Sequence, residues 1–228
     1  MAAAVPRADI HAREVRAKLW RGSAGVAAAC LALFLVYTYR YHGGYTMLGL
    51  SQAVAGTAGF LISASLALSG FCYYFDFLDT KLGYRKYLGL LGFYLALTYA
   101  AFLPFLYPAR YGYGLVGNLM TADVLLGFGA MALLTLMAAV SNTPAMLALG
   151  LARWRKLLRL GYLALLLLVL RAYLLEGVEW QSWLVSGGGL PPPRLVATAV
   201  ALMALGLRCA MLVSKLWRGR HTAAPLVS

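Results

Sequence analysis

Few residues in this 228-residue chain have the types and spacing that chemistry needs. Its three histidines, His11, His42 and His221, are far apart, and all fall in segments expected to be tails or loops. Cys30, Cys72 and Cys209 each sit in or beside an apolar run without CxxC spacing. They give no support for a disulfide framework or a zinc site, and read as small packing residues. Asp76 and Asp79, in YFDFLDTKLGY, are paired acids of the sort that bind a metal or move a proton. Lys81 and Arg85 beside them favour a solvated ion-pair turn instead. The remaining candidate is Arg171, a guanidinium well inside the apolar run of WRKLLRLGYLALLLLVLRAYLLE (154–176). A charge there costs at least about 2.5–3.5 kcal/mol unless it is paired or snorkels.

The elements that position these residues follow from composition. Hydrophobic residues make up 62% of the chain and charged residues 12%, about half the share usual in soluble domains. The expected fold is all-α, a polytopic membrane bundle without a soluble core. A span needs about 20 apolar residues, and six segments supply them: 22–39, 48–73, 86–107, 117–140, 157–176 and 195–214. The first run lacks a small-x-small cleavage site and is expected to stay as a helix. Basic tails occupy 1–21 and 215–228, with one membrane domain, 22–214, between them.

The net charge of +13 lies in the gaps between apolar runs. Arg7, Arg13, Arg16, Lys18, Arg21, Lys81, Arg85, Lys86, Arg153, Arg155, Lys156, Arg159, Lys215, Arg218 and Arg220 share one side of a six-span topology. The other side holds Arg40, Arg110 and Arg194, one per loop. By the positive-inside rule both termini are expected to be cytoplasmic, in a multi-pass protein of the plasma or inner membrane. Tyrosines and tryptophans collect at both boundaries as an interfacial belt. The charge has no groove-reading motif with it, so nucleic acid is not an expected partner. Expected partners are the bilayer, anionic lipids at the cytoplasmic face and other membrane subunits.

In the second span Ser51, Ala55, Gly59, Ser63 and Ala67 recur every four residues, a small-residue row that lets helices approach closely in lipid. For Arg171 the partner is argued by depth. With Glu176 at the outer boundary, Arg171 lies about 8 Å below it at 1.5 Å per residue, and Asp123 of the preceding span lies at a similar depth. An Arg171–Asp123 ion pair is expected, against the alternative that Arg171 snorkels alone to the headgroups.

The segments YRKYLGLLGFYLALTYAAFLPFLY (84–107) and LGLARWRKLLRLGYLALLLLVLRAYLLE (149–176) resemble the ferric reductase-like transmembrane domain, over roughly residues 50–176. That family includes the haem-bearing membrane subunit of methionine-sulfoxide reductase, the ferric reductases and the NADPH oxidases. The resemblance implies paired helices whose histidines hold b-type haems. Its ligand positions fall here on Thr98, Leu158 and Arg171, none of them histidine. Methionine ligation would need a histidine partner that is absent from the spans. No cofactor is therefore expected, a b-type haem entering only through unconventional ligation, and no catalytic or metal-binding residue is assigned. The first functional expectation is a haem-free structural or accessory subunit of a membrane assembly, a redox complex among the candidates. The second is an electron-transfer subunit with an unusual or partner-supplied cofactor. The third is a small-solute transporter, kept open by the intramembrane Arg171 and Asp123.

Overall fold

The computed structural model describes residues 7–75 and 81–222. Among them every regular element is a helix: α1 (Arg7–His42), α2 (Met47–Tyr74), α3 (Tyr84–Leu106), α4 (Pro108–Tyr111), α5 (Leu115–Asn118), α6 (Ala122–Val140), α7 (Thr143–Leu149), α8 (Leu151–Leu158), α9 (Leu160–Ser186) and α10 (Pro193–Thr222). Six stretches are long and apolar enough to cross a membrane: Arg13–His42, Met47–Cys72, Tyr84–Leu106, Ala122–Val140, Leu151–Ser186 and Pro193–Ser214. Helices suit such sequences because hydrocarbon offers no partner to an unpaired backbone N–H or C=O. These are the features of a multi-pass integral membrane protein.

Local chemistry sets the turns. Gly43, at φ +69°, follows the end of α1 in the left-handed region. Thr46 Oγ1 then accepts a 2.9 Å hydrogen bond from Gly49 N and caps α2. Gly187, at φ +61°, closes α9, and α10 begins at Pro193, where proline loses no helical bond.

Several boundaries differ from the hydropathy reading. The basic segment before the first span is helical from Arg7, continuous with α1. The fourth span starts at Ala122, because α4 and α5 occupy the chain before it. The fifth is broken at Arg159, between α8 and α9. Past Glu176, where a loop was expected, α9 runs on to Ser186.

The core of the bundle is α2, which packs on α1, α3 and α10, while α6 pairs with α9. Gly92 of α3 marks the closest approach: a Cβ there would stand 3.1 Å from both Ala58 O and Ile62 N of α2. The two helix groups meet along a seam. At mid-depth it is filled by Ile62, Leu66, Phe93, Leu134, Ala164 and Leu165. Towards each end of the bundle it opens into a cavity, and Ile62 lines both.

The ends of the bundle are distinct. At one, where α1 begins and α10 finishes, Gly22 packs on Tyr84 and Arg208 lies over the Tyr162 ring. At the other, the Tyr37 hydroxyl donates to Pro191 O at 2.6 Å, and His42 Nε2 lies 2.7 Å from Gln52 Oε1.

Candidate functional site

At the end of the seam away from the termini, hydrogen-bonded side chains from several helices meet. Asp123 stands in the first turn of α6 with a buried carboxylate. Arg110 Nη2 of α4 reaches its Oδ1 at 2.7 Å, and the Tyr111 hydroxyl donates to Oδ2 at 3.1 Å. Arg171 comes in from α9. Its Nε donates to the main-chain oxygen of Asp123 at 3.1 Å, and its Nη2 donates to the Tyr111 hydroxyl at 3.1 Å. The expected neighbourhood of Arg171 and Asp123 is there, but the expected ion pair is corrected: the carboxylate belongs to Arg110, and Arg171 holds the backbone beside it. The cause is α4, a four-residue helix that Pro108 starts and that folds Arg110 and Tyr111 back over the head of α6. The hydrogen bond to the Asp123 carboxylate holds the Arg110 guanidinium above its ordinary pKa, so this cation stays charged.

A second pair braces the same end. Arg194 Nη1 meets Glu176 Oε1 at 2.7 Å, joining α10 to α9, with the two side chains only 19% and 8% exposed. Glu176 Oε2 is buried without a hydrogen-bond partner, and so is the indole nitrogen of Trp180 one turn on. The apolar run alone puts Glu176 at the outer boundary of its span. The continuing helix puts it inside, and the signal that was available is Arg194 directly after the three prolines.

Between these two locks lies a cavity of about 270 Å³, walled mainly by small and apolar side chains such as Ala55, Gly59, Val124 and Ala197, with Tyr99, Tyr111, Arg171, Arg194 and Thr198 as its polar members. The small-residue row of α2 therefore divides. Ser51 Oγ donates to Leu48 O of its own helix, Ala55 and Gly59 face the cavity, and Ser63 and Ala67 are buried. Gly59 also faces Ala197 of α10, at 3.9 Å from where its Cβ would be.

The positions that the resemblance marks for haem ligands do not converge. Thr98 is exposed on α3 and donates to Tyr94 O of its own helix at 2.9 Å. Leu158, a side chain with no donor atom, ends α8 and lines the cavity at the opposite end of the seam. Arg171 is occupied as described. His42 is engaged with Gln52 at the rim, while the side chains of His11 and His221 lie outside the described set, as do Asp76 and Asp79. Met131 and Met137 each line one cavity, without a histidine beside them. This donor set does not fit a bis-histidine haem between the helices. Among the described residues no three histidines, cysteines or acids form a metal-binding group.

The lock predicts a graded response at Asp123. Asp123→Ala is expected to cost about 1.5–3 kcal/mol, the range for hydrogen bonds to charged groups, and Asp123→Asn less, because Arg110 is 45% exposed and returns easily to solvent. Thermal melts in mild detergent read both; an unchanged Asp123→Ala would show that the lock carries no stability.

The sequence matches no protein-family model and no curated protein.

Proposed function

We propose that the chain is a haem-free relative of the ferric reductase-like transmembrane domain that works as a structural or accessory subunit of a membrane assembly. In this reading both termini are cytoplasmic in the plasma or inner membrane, with the basic end of the bundle at the anionic leaflet. The observation that carries it is Arg171. At the position of a family ligand stands a guanidinium whose hydrogen bonds go to Asp123 O and the Tyr111 hydroxyl, so that the residue braces α4, α6 and α9 together.

The test has two parts. A dithionite-reduced minus oxidised absorption spectrum of the purified protein, with a pyridine extract, is expected to be flat. Stoichiometric haem bands would overturn the reading and put transmembrane electron transfer first. Native electrophoresis of gently solubilised source membranes is expected to place the chain in an assembly larger than itself. Migration of the chain alone would remove the accessory role.

A second reading, small-solute transport, is favoured by one observation. The two seam cavities lie back to back, separated at mid-depth by a layer that includes Ile62. Anion flux into proteoliposomes above that of protein-free vesicles would put this reading ahead.

A further inference from the structure

The seam cavity at the end carrying both termini is the larger, about 610 Å³, and it gathers cations. Arg85 and Lys86 come from the first turn of α3, Arg155 from α8, Arg159 from the break between α8 and α9, and Arg208 from α10. Among the described residues no aspartate or glutamate lines it. Among the described residues the ion pairs are Arg110–Asp123 and Arg194–Glu176, both at the other end of the bundle. The hydrogen bond of Arg208 is to Met211 Sδ at 3.8 Å, a weak acceptor, and its guanidinium lies 5.1 Å from the Tyr162 ring centre. Ser69 Oγ, on the same wall, is buried with no partner.

Like charges gathered at one cavity repel one another, most where Arg85 and Arg208 are part-buried, and an anion among them relieves the repulsion. Arginine forks match the oxygens of phosphate and lysine supplies a point charge. Deeper in, the lining becomes Ile62, Leu66, Leu90, Phe93 and Leu134. Free phosphate has no use for such a floor, but a hydrocarbon chain does. We propose that this cavity binds a phosphate-bearing amphiphile, its phosphate among Arg85, Lys86, Arg155, Arg159 and Arg208 and its chain along the apolar floor. This deepens the lipid contact of the accessory reading by naming its site.

The experiment is a titration of the full chain in mild detergent, by native mass spectrometry and thermal shift. The probes are phosphatidic acid, phosphatidylcholine and inorganic phosphate. Phosphatidic acid is expected to bind at about one per chain and raise the melting temperature, with phosphatidylcholine at least tenfold weaker and inorganic phosphate without effect. Arg155→Gln and Arg159→Gln, made singly at exposed positions outside the core, are each expected to weaken phosphatidic acid at least fivefold. Arg13→Gln/Arg21→Gln, which removes charge at the same end of the bundle but outside the cavity, is expected to stay within twofold of the parent.

Equal losses in the control variant would reduce the effect to general surface charge and overturn the site. A full response to inorganic phosphate would overturn the amphiphile in favour of a free anion. Should Asp76→Asn/Asp79→Asn raise affinity tenfold while Arg155→Gln and Arg159→Gln do nothing, the chain's own loop acids neutralise the cavity and the proposal fails. Lost lipid binding in variants that still migrate in the native assembly separates this site from the accessory role.

Discussion

Arg194→Met is expected to destabilise the detergent-solubilised protein by about 3–5 kcal/mol, the range for breaking one side of a buried ion pair. The substitution keeps a long side chain in the first turn of α10 but leaves the Glu176 carboxylate in the seam with no counter-charge. Its other oxygen has no hydrogen bond to share the load, and the Trp180 indole nitrogen is likewise unsatisfied. Glu176→Met alone takes the counter-charge from Arg194, at 19% side-chain exposure, but leaves it Tyr99 as a polar neighbour, so the loss is expected to be smaller. The double variant Arg194→Met/Glu176→Met is expected to recover most of either loss, because two apolar side chains avoid the desolvation that each ion incurred. Thermal melts of the four proteins complete a double-mutant cycle. Additive single losses would show that the pair contributes nothing as a pair.

The second large effect belongs to a glycine. Gly92→Ala places a methyl group 2.8 Å from Ile62 Cγ1 and 3.1 Å from the backbone of Ala58 and Ile62. A flexible side chain could step aside, but a main-chain oxygen and nitrogen inside a helix cannot, so α2 and α3 must separate. The expected cost is about 1–3 kcal/mol, the scale of overpacking, and an interface built on close backbone approach loses dispersion contacts along its length. Gly25→Ala in α1 is the control. Nothing lies within 4 Å of its added methyl, and the exchange should gain up to about 1 kcal/mol of helix propensity. If both variants melt alike, the α2–α3 contact is not what Gly92 is for.

The six spans were legible because long apolar runs leave a helix in lipid as the only economical backbone. Their ends were less so. A hydropathy window stops where the side chains turn polar, at Arg21 or Glu176, while the helix itself has no reason to stop there: α1 begins at Arg7 and α9 runs to Ser186, past Gly177. Depth along the sequence puts Arg171 level with Asp123, and the helices that carry them, α9 and α6, pack together. It could not supply Arg110. That residue arrives through a four-residue helix in PARY, too short for any periodicity to announce. In the same way the every-fourth row of small residues on α2 was visible, yet the close backbone approach of Ala58 and Ile62 to Gly92 lies off that row and depends on a partner helix that no single-helix pattern encodes.

The packing of α10 on α2 also sets a timetable. The ribosome delivers helices in order, so α2 enters the membrane with α1 and α3 to cover it while the surface around Gly59 and Gly70 waits for α10. Glu176 is likewise made before Arg194. Until α10 leaves the ribosome, the nascent chain holds an open groove and an unanswered negative charge together, and its arrival resolves both in one step.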